Sequence, residues 1–209
     1  MPPTVDELVL AAEPGRWAAA GFTVEDGVVR AGTVRVRLAG EDAGRGIVSW
    51  SLRDTPTTDL DGLPTTESEA APAEPGEHPN GAERVDHVVV VTPDLERTTG
   101  ALAAAGIERR RLREVPLGEG RILLQGFFRL GEVILEVVNA MPLDPSAEPE
   151  PGDPAAFWGL VFVVADLDAA AAALGDDVGT PRDAVQPGRR IATVRREAGL
   201  GLPVALIGG

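Results

Sequence analysis

One plan of strand and helix is written into this chain more than once, and that repetition limits what it can fold into. The plan is clearest from Arg84 to Ala140. A β-branched run, Val85–Val91, carries His87 and stops at Thr92-Pro93-Asp94, a combination that ends a strand and opens a helix. Leu95, Thr99, Leu102 and Ala105 then share one helical face, and Gly106 stands where a left-handed cap is commonly needed. Three strand-like segments follow, around Ile107–Val115, Ile122–Leu130 and Val133–Val138, divided by Gly118-Glu119-Gly120 and by Gly131. The unit reads β-α-β-β-β.

The same order recurs on both sides. GLVFVVADL, residues 159–167, lies over HVVVVTPDL, residues 87–95. A helix from Asp166 to Leu174 follows, an alanine run with little to grip beyond Leu167 and Leu174. Strands are then expected near Arg182–Gln186, Arg190–Arg196 and Pro203–Ile207. Toward the N-terminus the copy is weaker: setting VDELVLAA (5–12) beside VDHVVVVT (85–92) puts Glu7 in the place of His87. A short helix from Pro14 to Ala20 ends at Gly21-Phe22, Ala31-Gly32 signals a hairpin, and Val34, Val36 and Leu38 alternate with Arg35 and Arg37 as in a strand with one wet face. Three copies at residues 1–53, 84–140 and 156–209 make an internal repeat. They are joined by an acidic segment rich in Pro, Thr and Glu (54–83) and by a shorter linker (141–155). The first of these has few large apolar groups, too few to offset ordering entropy by burial, and is expected to be flexible.

This order, with His87 in VDHVVVVT and Glu136 in EVILEVV, resembles a module of the vicinal oxygen chelate superfamily, which includes glyoxalases, bleomycin-resistance proteins and extradiol dioxygenases. The likeness covers residues 84–209 well and 1–53 loosely. It implies an α+β fold in which two βαβββ modules pair into a cupped mixed β-sheet with helices on the convex face, residues 84–209 forming a glyoxalase-like domain. It also implies a divalent metal in the cup, held by His87 and Glu136, with Zn, Ni, Mn and Fe not distinguishable. An imidazole and a carboxylate on neighbouring strands suit half of an N/O site. In the C-terminal copy Gly159 stands in the place of His87, and Leu206, or Ala205 if the register slips, in the place of Glu136. None of these binds metal. A pairing of the first and second copies instead lays GIVSWSL on GEVILEV, puts Ser51 at the Glu136 position and offers Glu7, Ser51, His87 and Glu136 to one cup. Both pairings stay open on the sequence. With an odd number of copies, the spare first module either packs its sheet beside the paired cup or seeks a second subunit, giving a homodimer.

A buried glutamate in VILEVV needs a metal or a cation beside it, and Arg129, Arg189 and Arg190 are available. Gln125 in LLQGFF and Arg190 in QPGRRIATV are expected to face the cup, where a guanidinium suits an anionic carboxylate or enolate. Trp158, with Phe157 and Phe162, would wall an apolar pocket. The expected substrate-binding set is therefore Gln125, Arg129, Trp158 and Arg190. The metal set is His87, Glu136 and Glu7, and Glu136 also shuttles a proton. The resemblance implies a metal-dependent lyase or isomerase acting on neighbouring substrate oxygens or, in a different class, a metal-free protein that sequesters a small molecule. An extradiol dioxygenase is disfavoured, because its set of two histidines and one carboxylate is absent.

A net charge of −14 and a pI near 4.5 oppose binding to nucleic acid or to anionic membranes. Every Lys-or-Arg position is Arg, and Ala, Gly, Pro and Val abound, a usage resembling that of a high-GC bacterium. Without cysteine there is no disulfide or thiolate chemistry. The N-terminal MPPTVDELVLAAEPGRW lacks a basic region and a long apolar core, and no run approaches a membrane span, so a cytoplasmic protein is expected. No phosphate loop, dinucleotide fingerprint or nucleophile elbow occurs.

Overall fold

The structure, a computed structural model, describes residues 2–118, 121–139, 150 and 152–209. The expected turn residues Glu119 and Gly120, and most of the 141–155 linker, lie outside the described residues.

The first half of the chain supplies β1 (Thr4–Ala11), α1 (Pro14–Ala19), β2 (Val28–Ala31), β3 (Val34–Leu38), β4 (Gly46–Arg53) and β5 (Thr65–Glu67). They form a five-stranded sheet in the order β2-β3-β1-β4-β5. The second half supplies β6 (Ala82–Thr92), α2 (Leu95–Ala104), β7 (Arg109–Gly118), β8 (Arg121–Leu130), β9 (Val133–Asn139), β10 (Ala156–Val164), α3 (Leu167–Leu174), β11 (Arg182–Asp183), β12 (Arg190–Thr193) and β13 (Val204–Gly208). These strands form one eight-stranded mixed sheet, β11-β12-β13-β10-β6-β9-β8-β7, curled into a half-barrel. The second and third copies are thus the pair that shares a cup, joined by the antiparallel contact of β6 with β10.

Local sequence accounts for these elements. Along β6, Val85, Val88 and Val90 enter the main core, while His87 and Val89 face the cup. Asp94 caps α2 by accepting a hydrogen bond from the Arg97 backbone at 3.0 Å, and Asp166 caps α3 in the same way from Ala169 at 2.9 Å. Leu95 and Leu102 bury the inner side of α2, and Gly106 closes it with φ +79°.

The first sheet corrects the expected count of modules. In the large sheet β6 is parallel to β9 and antiparallel to β10, and β10 is parallel to β13. In the small sheet β1 is parallel to β3 and antiparallel to β4, and β4 is parallel to β5. By topology β4 stands where β10 stands, not where β9 stands. GIVSWSL is therefore the opening strand of a reduced fourth unit, and Ser51 is not the counterpart of Glu136. The first module is not spare; it has an internal mate stripped to two strands, and its sheet packs beside the cup domain. A single hydrophobic core runs through both sheets. At its centre Phe22 lies 4.9 Å from Trp17 and 5.0 Å from Phe162, ring centre to ring centre, and the Trp17 indole donates to the Leu200 carbonyl at 3.2 Å.

Residues 54–83 are irregular but anchored, contrary to the expectation of flexibility. Leu60, Leu63 and Ala73 are buried, and Thr65–Glu67 extend the small sheet. Asp61 accepts from Arg97 at 2.7 Å and from the Thr98 hydroxyl at 2.5 Å. His78 accepts from the Thr23 backbone at 3.0 Å and has its other ring nitrogen 2.9 Å from the Arg30 carbonyl. A few well-placed apolar and polar anchors outweigh the unpromising average composition. Among the described residues no helix is long and apolar enough to cross a membrane.

Candidate functional site

The inner face of the eight-stranded sheet holds two adjoining chambers. The larger, about 630 Å³, lies toward β7, β8 and β11, in the size range of small-molecule sites. The smaller, about 260 Å³, is lined by Val89, Leu123, Val138 and Trp158 among others. His87, Gln125 and Glu136 line both chambers, so the polar centre stands on their common wall.

Strand register puts these three together. Val89 on β6 and Phe127 on β8 flank Glu136 on β9, so His87 and Gln125 each sit two residues away from its direct neighbours on the same face. The Gln125 amide donates to one Glu136 oxygen at 2.6 Å. The His87 Nε2 lies 3.4 Å from the other. Burial raises the Glu136 carboxyl above its ordinary value, although His87, Gln125 and Arg113 each pull the other way.

Asp86, which sequence reasoning missed, holds the histidine. It is the extra residue of a bulge, since Val161 pairs with His87 while the next residue, Phe162, pairs with Val85. The bulge lets two successive side chains line one chamber. The Asp86 carboxylate lies 2.9 Å from the His87 Nδ1 and accepts from Arg189 at 2.9 Å. Burial alone would raise its carboxyl, but the hydrogen bonds from His87 and Arg189 and their charges bring it down to about 2. With Nδ1 committed to Asp86, Nε2 is the ring nitrogen turned toward Glu136 in the cup. The signal was present in the repeat. Val-Asp precedes both Glu7 and His87, and Asp6 is likewise a bulge residue, buried and bonded to Arg35, Arg53 and Ser68.

Other expectations divide. Gln125 and Arg129 line the larger chamber and Trp158 the smaller. Arg190 lines neither; it reaches Asp168 on α3 at 2.7 Å, while its neighbour Arg189 reaches Asp86 at 2.9 Å. Glu7 belongs to the other sheet and is ion-paired with Arg37 at 2.8 Å, so it does not join His87 and Glu136. The parallel registers make Arg37 the true counterpart of Glu136: Val89 pairs with Glu136 as Val9 pairs with Arg37. In the C-terminal copy Val161 pairs with Ala205, so Ala205 stands in the place of Glu136, while Leu206 faces the core. At Gly159 an added Cβ would lie 2.8 Å from the Pro203 carbonyl, leaving no room for a ligating side chain there.

Among the described residues no three His, Asp or Glu side chains form a metal-holding group. The amide oxygen of Gln125, however, is buried and accepts no hydrogen bond. With His87 Nε2 and the Glu136 carboxylate it places donor types that suit a divalent cation on one wall, whereas Val161 and Ala205 of the same chamber carry none.

No family profile matches the sequence. No curated protein matches it either. Among solved structures, a triple mutant of 4-hydroxymandelate synthase from Streptomyces coelicolor superposes on 100% of this chain and 93% of its own, with a TM-score of 0.59 and 14% identity. Methylmalonyl-CoA epimerase from Mycobacterium tuberculosis matches 61% of this chain and 89% of its own, with a TM-score of 0.46 and 17% identity. A Streptomyces coelicolor methylmalonyl-CoA epimerase variant in complex with 2-nitronate-propionyl-CoA gives 61%, 95%, 0.46 and 21% in the same order. At such identities the synthase shares a fold with this chain, and nothing about activity passes from one to the other.

Proposed function

We propose that this chain, which has the vicinal oxygen chelate fold, binds a small organic molecule in the cup of its second half and moves a proton on it, as an isomerase or lyase does. The observation that carries the reading is the setting of Glu136. Its carboxyl is buried, its proton affinity is raised, and Gln125 fixes it at 2.6 Å on the wall between the chambers. A carboxylate so placed is a stronger base than one in water. It would take a proton from a carbon beside a carbonyl; the C–H pair of electrons passes to the carbonyl oxygen as an enolate, and the proton returns from Glu136 to the same carbon as the carbonyl re-forms. His87, oriented through Nδ1 by Asp86, directs Nε2 at the same place. The apolar side chains of Val89, Leu123 and Trp158 keep water from one flank.

His87 Nε2, the Glu136 carboxylate and the Gln125 amide oxygen are the residues that would hold a divalent metal, which when bound supplies Lewis-acid polarisation of ligand oxygens. Elemental analysis of protein purified without chelator tests this. Stoichiometric divalent metal in wild type, lost in both His87→Ala and Glu136→Ala, is the expected result. Its absence from wild type would remove the metal and leave the second reading, a metal-free protein that sequesters its ligand. That alternative is favoured by the blank opposite wall, where Val161 and Ala205 offer no donor.

A further inference from the structure

Arg110, Arg111 and Arg113 of β7, Arg129 of β8 and Arg182 of β11 all line the larger chamber, and none makes a side-chain hydrogen bond or close ion pair among the described residues, Arg113 acting on Glu136 only through its charge. Outside the cup, lone arginines such as Arg45 are scattered among the described residues, and several others are matched to acids. Arg109, adjacent on β7 but turned to α2, binds Glu96 at 2.6 Å. On the small sheet Arg37 is matched to Glu7, and on the far side of the cup domain Arg190 is matched to Asp168. Acids are in surplus, at a net charge of −14, so the cup-facing guanidiniums are not unpaired for want of carboxylates. A register shift between Arg109 and Arg111 makes Arg110 an extra residue of β7, and both Arg110 and Arg111 line the same chamber. The acids there are few: Asp86 is taken by Arg189, which leaves Asp183 and the buried Glu136. Such a concentration of like charge is self-repulsive until an anion enters, and the planar guanidinium fork matches carboxylate and phosphate oxygens.

One carboxylate engages one guanidinium in a bidentate pair. Five guanidiniums from three strands, at both margins of the chamber, call for several anionic oxygens on one ligand. We propose that the larger chamber is a receptor for a small polyanion, a phosphate ester or a polycarboxylate, whose uncharged part reaches past His87 and Glu136 toward Trp158. The proposal rests on the reading of the cup as a ligand site, and it fixes the class and the orientation of what enters.

Isothermal titration with inorganic pyrophosphate and with citrate tests it and separates the two sources of anionic oxygen, since the tighter binder names the class. At least one is expected to bind, more weakly as salt rises. Arg111→Gln and Arg129→Gln, made separately, should each weaken that binding about tenfold. Arg45→Gln, which changes an exposed arginine outside the cup, should leave it unchanged. His87→Ala should also retain it, which distinguishes this site from any metal held by His87; loss of metal in that variant with anion binding intact would separate the two readings. Binding of neither anion would overturn the proposal. So would binding that survives both arginine substitutions, or binding that disappears with His87 alone.

Discussion

Asp86 carries more of the site than its place in the chain suggests, because one buried carboxylate orients His87 and draws in Arg189 from the other module. Its carboxyl is held at about 2 against an ordinary 3.8. A depressed carboxyl stabilises the fold fully above its unfolded value and loses that contribution as pH falls through the folded one. Between pH 4 and pH 2 the protein should therefore lose about 2 kcal/mol through this group, seen as an acid limb in urea unfolding that Asp86→Asn flattens. The same variant leaves the imidazole without its anchor and should cut metal affinity about 10- to 100-fold, measured by competition with a chelating dye. The equivalent positions in the other sheet show the same backbone put to a different use. An ion pair of Glu7 and Arg37 stands where the cup has His87 and Glu136, so that half keeps the bulge with a different pair of side chains beside it.

Segment 54–83, irregular apart from β5 and the first residues of β6, shows how a stretch with little regular structure can be held by a few contacts. The Thr23 backbone donates to His78 Nδ1, which requires that nitrogen to be unprotonated, and burial lowers the imidazole below its ordinary 6.5 despite the opposing bond to the Arg30 carbonyl. A histidine lowered in the folded state contributes its full stability above the unfolded value and loses it as pH falls below. Limited proteolysis should therefore cut near residues 74–80 faster as pH drops from 7 toward 5, and His78→Phe should be cut readily at both values. Equal rates at both pH values in wild type would exclude a role for this imidazole in anchoring the segment. Composition marked the stretch as unable to order itself, and by average it is. Leu60, Leu63 and Asp61 were not legible as anchors, because each matters only through a partner distant in sequence: the core for the leucines, Arg97 and Thr98 for the aspartate.

The two sheets share one core, so the halves are expected to unfold together. Phe162 belongs to the cup domain yet packs on Trp17 and Phe22 of the other half and is fully buried. Phe162→Ala should cost about 3 to 5 kcal/mol and lower a single melting transition, as followed by calorimetry; two separated transitions in wild type would contradict a common core. The repeated strand and helix pattern and the cap positions at Asp94, Gly106 and Asp166 follow from residues close in sequence, since periodicity and turn chemistry are local properties; His87 and Glu136 were singled out by the resemblance of their strands to a known family. Which strands lie side by side was not. The place of β4, the choice of Ala205 over Leu206, the bulges that turn Asp86 and Arg110 into the cup, and the departure of Arg190 toward Asp168 all follow from hydrogen-bond register between distant strands. A shift of one residue in that register exchanges the two faces of a strand, so only the assembled sheet decides what the cup contains.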